Sequence, residues 1–275
     1  MVWDLTRGTR HIDGNTIIVH NCGFFSCCSV RLGGIVDYFN TYKSLPKSVD
    51  SSRQFLWYKR DQREDVTFKF FEHYDNVNID IEYVKKVDYH DEHQFGFYKD
   101  LDFESINPFI KKYFSPSKFV KYKIAKMTNK YNIDFENTCA LFHRGHDKHT
   151  EQVICTHEEK LEKARKVLEK NPSIRFLIQS DETEFIEKAL SAFPNNSFYC
   201  KDEIYHMPHD PKGLIDYTFR ENPGERAENF LAVLFLMSKC KYVITSAANC
   251  DIWTSLLRGH ANNLIQYYKG EWCES

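Results

Sequence analysis

The sequence predicts an α/β protein whose second half contains a parallel β-sheet. From residue 138 onward, short apolar runs of strand length alternate with helical patterns, and this alternation is typical of βαβ units. Three of the predicted strands end in polar residues immediately before a helix. Because ligands of open α/β sheets bind outside the carboxyl ends of the strands, we expect the functional site at that edge.

The charge balance argues against whole classes of partner. The chain has 275 residues, enough for one large core or two modest ones, with 37 basic and 39 acidic residues and a net charge of −2. Nothing in this balance indicates a partner such as nucleic acid or an anionic membrane surface. Any site for an anion must therefore be local.

The sequence also predicts a soluble chain in the cytoplasm. No apolar run is long enough to span a bilayer, and Met1-Val-Trp-Asp lacks the charged-then-apolar order of a signal peptide. The nine cysteines include no CxxC pair and no zinc spacing. We therefore expect reduced, mostly buried thiols.

The first half is predicted to begin with a strand, a tight turn and a helix. A buried strand over 16–20 leads through a turn at Gly23 into a helix over 26–42. The other predicted elements of this half are strands over 54–58 and 77–83 and helices over 104–113 and 116–131.

Two histidines and three carboxylates lie close together between Asp88 and His93. Such a group could bind a metal ion. The stretch is irregular and polar, however, with no helix or strand to fix the ligand geometry, and this favours a solvated loop.

After a link over 132–137 the second half becomes regular. Its predicted strands cover 138–143, 174–179, 197–200, 242–245 and 263–268, and its predicted helices cover 156–170, 182–193, 225–240 and 249–258.

Three polar strand ends in this half would meet at one edge of the sheet. The first carries His143, Arg144 and Lys148, and such basic residues favour an anion such as a phosphate or diphosphate. The second is Gln179-Ser-Asp181, and the third is Thr245-Ser-Ala-Ala-Asn249, whose backbone N–H groups open a helix. A compound with a diphosphate, a sugar and a base would use all three.

Each of these ends also has a purely structural interpretation. The first could be a surface turn with a solvated ion pair. Asp181, Ser246 and Asn249 are residues that commonly cap helices. The coincidence of three polar ends on one edge is more specific than any one of them.

Three ordered segments carry a resemblance to the fucosyltransferase superfamily. They are Phe142-His-Arg-Gly-His-Asp-Lys148 followed by Glu151, Phe176-Leu-Ile-Gln-Ser-Asp181, and Tyr242-Val-Ile-Thr-Ser-Ala-Ala-Asn249. The loop at Gly23 is similar to the glycine-containing loop of the acceptor-side domain in that family. The resemblance implies a GT-B fold, with two Rossmann-like domains facing a central cleft: an acceptor-side domain over 1–135 and a nucleotide-sugar domain over 136–275.

The resemblance also implies a reaction and its residues. A UDP- or GDP-linked sugar would be transferred with inversion to a hydroxyl of a glycan or glycoprotein acceptor, with no cofactor and no obligatory metal. Arg144 would stabilise the charge that develops on the leaving diphosphate. The implied donor-binding residues are His143, Gly145, Asp147, Lys148, Asp181, Ser246, Ala247 and Asn249, and the implied acceptor-side residues are Asn21 and Gly23. His20, at a strand end, is the candidate general base; the alternative is a structural histidine.

One departure from the family pattern leaves the donor open. The motif of the superfamily has two consecutive arginines. If Arg144 matches the first of them, Gly145 stands at the second position; if it matches the second, His143 stands at the first position and His146 is an insertion. The chain also resembles glycosyltransferases of large algal DNA viruses, which implies xylose beside fucose as a donor sugar. Two further hypotheses are a degenerate, non-catalytic nucleotide- or glycan-binding module and a metal-dependent hydrolase that uses the 88–93 segment or His143, His146 and His149.

Overall fold

The computed structural model describes residues 3–4, 23–61, 63–72, 79–85, 94–213, 215–219 and 221–275. The predicted strand over 16–20, the candidate residues His20 and Asn21, and the segment 88–93 lie outside these residues. The predictions made for them therefore stay predictions.

The described part of the first half is mainly helical. Helix α1 begins directly after Gly23 and ends where Lys43 adopts a left-handed backbone conformation, at φ 51°. Asp102 and Ser117 cap the next two long helices, because their side chains accept hydrogen bonds from Ser105 and Val120 N–H. The elements are β1 (Trp3–Asp4), α1 (Phe24–Tyr42), β2 (Val49–Asp50), α2 (Thr67–Phe70), β3 (Phe71–Glu72), α3 (Phe103–Tyr113), β4 (Ser115–Pro116) and α4 (Lys118–Lys130).

The strand prediction over 54–58 is wrong. Residues Leu56–Tyr58 form one 3-10 turn, and Phe55 before it has a left-handed backbone with φ 57°, which no strand accommodates. The apolar residues Phe55 and Tyr58 are nevertheless buried, as the pattern required. A strand was also predicted over 77–83. The structure describes residues 79–83 of this range, and they contain no strand.

The second half follows the predicted alternation closely. The bounds of β8 and α9 agree with the prediction at both ends, and α5 begins with a capping box formed by Thr156 and Glu159. The elements are β5 (Thr138–His143), α5 (His157–Lys170), β6 (Arg175–Ser180), α6 (Thr183–Ala192), β7 (Ser197–Phe198), α7 (Ile215–Thr218), α8 (Pro223–Lys239), β8 (Tyr242–Thr245), α9 (Asn249–Arg258), β9 (Leu264–Tyr268) and β10 (Glu271–Glu274).

Six strands form one sheet in the order β10-β9-β8-β5-β6-β7. Strands β5 to β9 are parallel, and β10, which the sequence pattern did not reveal, pairs antiparallel with β9. The chain starts at β5, moves outward through β6 and β7, and then returns to place β8 on the other side of β5. The direction of winding therefore reverses between β5 and β8, and in doubly wound sheets this is where a crevice for ligands opens.

The two halves of the chain share one core. Helices α1 and α3 pack on α9, and α4 packs on α8. The indole of Trp253 is 1 % exposed, and its ring lies 6.1 Å from that of Phe25 and 4.6 Å from that of Phe114. The strands described in the first half form only two-residue pairs, β1 with β2 and β3 with β4. A second Rossmann-like domain therefore stays a prediction.

Two further findings concern cysteines and membranes. Of the cysteines in the described residues, all except Cys273 are buried, and none is in a disulfide. Among the helices described here, none combines the length and the apolar character needed to cross a membrane.

Candidate functional site

The ends of β5 and β6 are brought together by their register. His143, the last residue of β5, pairs with Ser180, the last residue of β6. Arg144 and Asp181 therefore leave the sheet side by side. This is the arrangement expected from the predicted strand ends.

Arg144 links three elements at this edge. Its Nε donates to Asp181 Oδ2 at 2.8 Å, and its Nη1 donates to Cys250 Sγ in the first turn of α9 at 3.1 Å. Burial alone would raise the pKa of Asp181, but the guanidinium of Arg144 and the N–H of Gly145 outweigh burial and hold that pKa below its ordinary value. Asp181 is therefore an anion that orients Arg144.

A cavity of about 100 Å³ opens beside this pair. A space of this size holds several water molecules. Its lining comes from both halves of the chain and includes Tyr58, Arg144, Gln179, Asp181, Asp216 and Arg226.

The far wall of the cavity contains a second arginine–aspartate pair. Arg226 Nη2 lies 2.9 Å from Asp216 Oδ1, and the hydroxyl of Tyr58 donates to Asp216 Oδ2 at 2.7 Å. The same hydroxyl accepts a hydrogen bond from Phe24 N–H, at the start of α1. The 3-10 turn of the first half is thereby attached to the second half.

Gln179 contributes a polar atom that has no hydrogen-bond partner in the described part of the chain. The residue is 4 % exposed, and its Oε1 is buried with no partner among the described residues. A buried carbonyl oxygen without a partner costs about 1–3 kcal/mol. A ligand with a hydrogen-bond donor would remove that cost.

The loop after β5 explains why glycine follows Arg144. A Cβ on Gly145 would lie 2.0 Å from the carboxyl carbon of Glu182. The Gly145 N–H donates to Asp181 Oδ1 at 3.0 Å, and the His146 N–H donates to Glu182 Oε1 at 3.1 Å. Position 145 therefore has no room for a side chain beside Glu182.

Histidines surround the carboxylate of Glu182, which is 3 % exposed. His157 Nε2 donates to Oε2 at 2.9 Å, His143 Nε2 lies 3.3 Å from the same oxygen, and His209 Nδ1 contacts Oε1. Burial opposes ionisation of Glu182, but the hydrogen bonds from these histidines hold its pKa far below the ordinary value. Burial lowers the pKa of His143 to about 4, so its imidazole is neutral at neutral pH.

The polar groups of the third strand end, after β8, form hydrogen bonds with other residues of the chain. The Ser246 N–H donates to Asp251 Oδ1 at 2.9 Å, and the Ser246 hydroxyl accepts from Lys160 Nζ at 2.9 Å. The Ala248 N–H donates to the hydroxyl of Tyr98 at 3.0 Å.

The side chain of Asn249 connects α9 to the first half. Its Oδ1 accepts from Ser29 Oγ at 2.8 Å, and its Nδ2 donates to Ser26 Oγ at 3.1 Å and to Gln94 Oε1 at 2.7 Å. Ser246, Ala247 and Asn249 are not among the residues that line the cavity.

The predicted site residues thus lie at different places in the structure. Arg144 and Asp181 line the cavity, while His143 and Gly145 lie beside it around Glu182. Asp147 and Lys148 belong to a 3-10 helix over His146–Thr150, where Lys148 Nζ donates to Glu151 Oε1 at 2.7 Å. Gly23 occupies the N-cap position of α1.

Several site residues were missed by the sequence reasoning. Glu182 had a weak signal in the sequence, because it directly follows Asp181, the last residue of a predicted polar strand end. Tyr58, Asp216 and Arg226 had none, since they are distant in sequence and belong to no motif. Only the folded chain brings them to the cavity.

These features define an α/β protein with a Rossmann-type strand order and a polar cavity at the carboxyl edge of its sheet. No protein-family model matches the chain, and no curated protein sequence matches it. Among solved structures the chain is similar to NodZ alpha-1,6-fucosyltransferase soaked with GDP-fucose, with 12% identity and a TM-score of 0.42. The match covers 64% of this chain and 53% of that chain, so it spans about half of the fucosyltransferase. A similarity at this level does not define a family or an activity.

Proposed function

We propose that this chain is a glycosyltransferase that moves a monosaccharide from a nucleotide sugar onto a hydroxyl of a glycan acceptor. The placement of Arg144 supports this proposal most strongly. Its guanidinium lies at the carboxyl end of β5, beside the point where the winding of the sheet reverses, and it faces a cavity with Gln179 and Arg226.

The contacts of Arg144 suit a diphosphate that gains charge as it leaves. Asp181 uses the Nε of Arg144 and fixes the plane of the guanidinium. The Nη1 contact is to a thiol, which burial keeps protonated by raising the pKa of Cys250 to about 11. Because a thiol is a weak acceptor, a phosphate oxygen in its place would form a stronger bond.

The rest of the cavity offers groups for the other parts of a nucleotide. The Gln179 Oε1, which has no partner among the described residues, would accept from a base or from a sugar hydroxyl, and the guanidinium of Arg226, paired with Asp216, lines the same cavity. These groups do not distinguish UDP from GDP or xylose from fucose. The experiment must therefore also identify the donor.

The proposal includes an inverting displacement, in which the acceptor hydroxyl attacks the anomeric carbon as the nucleoside diphosphate leaves. It includes no obligatory metal ion in that step. It also includes the GT-B arrangement with a boundary near residue 135, in which Tyr58 of the first half contributes to the cavity wall. His20 as the general base, a cytoplasmic location and a viral origin stay predictions.

A donor screen followed by a turnover assay tests the proposal. Thermal unfolding with UDP, GDP and their sugar conjugates should reveal one nucleotide family that raises Tm, because a ligand at 100 times its Kd stabilises by about 2.7 kcal/mol. Release of the free nucleoside diphosphate with glycan acceptors should follow with the same donor. Binding without release would support the non-catalytic binding module, and no binding by any nucleotide would contradict the transferase.

A further inference from the structure

We propose that His143, His157 and Glu182 form a binding site for one divalent transition metal ion, for which zinc is the best match. The three residues come from three elements: the end of β5, the start of α5 and the turn after β6. The site lies directly beside the loop that carries Arg144. It does not depend on the proposed transferase function.

The spacing of the three ligand atoms suits a small metal ion. The Nε2 atoms of His143 and His157 lie 3.3 Å and 2.9 Å from the same oxygen, Glu182 Oε2, and all three atoms lie within 4.8 Å of one another. Zinc binds nitrogen and oxygen at about 2.0–2.2 Å, so neighbouring atoms in a tetrahedral site are separated by roughly 3.3 Å. Small shifts would therefore admit the ion, and two histidines with one glutamate are a ligand set that zinc uses.

Packing holds both imidazoles in position. The ring of His143 stacks on Phe185 at 4.6 Å, and the ring of His157 meets the same phenyl edge-on at 5.2 Å. The two imidazole planes are at 89° to each other. This packing keeps both rings beside Glu182 Oε2, the oxygen that both Nε2 atoms approach.

Hydrogen bonding among the described residues does not account for His143. The residue is 2 % exposed; among the described residues its Nδ1 is buried without a partner, and its Nε2 contacts Glu182 Oε2 at 3.3 Å. Few buried polar groups in proteins remain this poorly paired. A metal ion at Nε2 would give that nitrogen a strong partner, while Nδ1 would carry the ring proton.

The other contacts of the cluster use the second oxygen of Glu182. His209 and the His146 N–H occupy Oε1 of Glu182, which leaves Oε2 for the metal. Lys188 Nζ donates to His157 Nδ1 at 3.3 Å, but Lys188 is exposed and its ammonium can turn into solvent when that nitrogen carries the proton. Water would complete the coordination.

A neighbouring group, His146, Glu182 and His209, also brings ligand atoms together. Both ring nitrogens of His146 are already engaged, because Nε2 lies 2.8 Å from Asp181 O and Nδ1 accepts from Asp210 N–H at 3.1 Å. Binding there would break both contacts. The geometry thus favours the group with His143 and His157.

The metal would stabilise the strand ends rather than take part in sugar transfer. It would tie the last residue of β5 to α5 and to Glu182, which contacts the loop at Gly145 and His146. Arg144 lies between these anchors. The expectation that the transfer step itself needs no metal is therefore unaffected.

The test measures zinc binding by the full chain with any affinity tag removed. After dialysis against a chelator, zinc is titrated in competition with a chromophoric chelator, and bound zinc is counted by elemental analysis. We expect one zinc per chain and a rise in Tm. His157→Ala should weaken binding at least 100-fold, whereas the matched control His149→Ala, which changes an exposed histidine close by, should bind as the wild type does.

Glu182→Gln provides a second variant if His157→Ala does not fold, as judged by circular dichroism and by the Tm of the metal-free protein. It should also weaken zinc binding at least 100-fold. The proposal is overturned if the wild type binds less than one-tenth of an equivalent at saturating zinc. It is equally overturned if a folded His157 or Glu182 variant keeps wild-type affinity, or if His149→Ala loses as much affinity as His157→Ala.

Discussion

The strand ends at Arg144 and at Ser246 look alike in sequence and differ in what they contact. Arg144 and Asp181, after β5 and β6, face a cavity. The polar groups after β8 are bonded to the protein: Ser246 to Asp251 and Lys160, and Asn249 to residues of the first half. Polar residues after a strand can thus present groups to a ligand at one position and join two halves of a chain at another.

The difference follows from what covers each strand end. The first turn of α9 lies under α1 and under the segment that contains Gln94 and Tyr98, so its polar atoms are buried against other polar atoms. Beside the end of β6, the wall of the cavity is formed by residues that meet from distant parts of the chain. Four substitutions test this contrast.

Replacing Arg144 should have the largest effect. Removing a group that stabilises developing charge costs about 100- to 1,000-fold in rate, so we expect Arg144→Ala to lower kcat/KM by that factor. Arg144→Lys should recover only part of the loss, because lysine cannot reproduce the planar contact with Asp181. Arg165→Ala, an exposed arginine on α5, is the control and should keep full activity. Near-normal turnover by a folded Arg144→Ala would rule out its assigned role.

Adding a methyl group at Gly145 should destabilise the loop. Because the new Cβ would overlap the Glu182 carboxylate, we expect Gly145→Ala to lower the free energy of unfolding by about 1–3 kcal/mol. Gly224→Ala, where the nearest atom would be 3.6 Å away, should be nearly neutral.

A second substitution at Glu182 sharpens the result for Gly145. If the clash is the cause, Gly145→Ala should cost much less in a Glu182→Ala background, and denaturant unfolding of all four proteins measures this coupling. Equal costs in both backgrounds would show that Glu182 is not what restricts residue 145.

Replacing Asn249 should affect stability rather than activity. Asn249→Ala removes three side-chain hydrogen bonds to the first half, so we expect a loss of about 1–3 kcal/mol in unfolding free energy and a change in donor KM below about threefold. A large rise in donor KM with unchanged stability would mean that the third strand end binds the nucleotide after all.

Replacing Gln179 should have the smallest effect on stability. Because its Oε1 has no partner among the described residues, Gln179→Leu should leave the unfolding free energy unchanged or raise it by up to about 1 kcal/mol. Donor KM should rise about tenfold if that oxygen accepts a hydrogen bond from the ligand. An unchanged KM would place the nucleotide away from Gln179.

The strands and helices of the second half were predicted well, because local sequence patterns determine them. The apolar runs of β5 and β8 and the alternation of strands and helices located the sheet and its polar edge. The strand predicted over 54–58 failed because a short apolar run does not reveal the left-handed backbone at Phe55.

The remaining parts of the site depend on contacts between distant residues. Tyr58 and Asp216 are 158 positions apart, and no local pattern relates them. The sequence also did not reveal that Gly145 packs against Glu182, because this contact depends on β5 and β6 lying side by side. In the fold, the space beside the Gly145 backbone is filled by the carboxylate of Glu182.

Calorimetric titration with GDP and UDP tests the central claim, that the cavity beside Arg144 binds a nucleoside diphosphate, most directly. We predict that the wild type and Asn249→Ala bind one of the two nucleotides with similar Kd. Arg144→Ala, shown to be folded by circular dichroism, should bind it at least tenfold more weakly. Equal binding by the wild type and Arg144→Ala, or loss of binding in Asn249→Ala alone, would contradict the account.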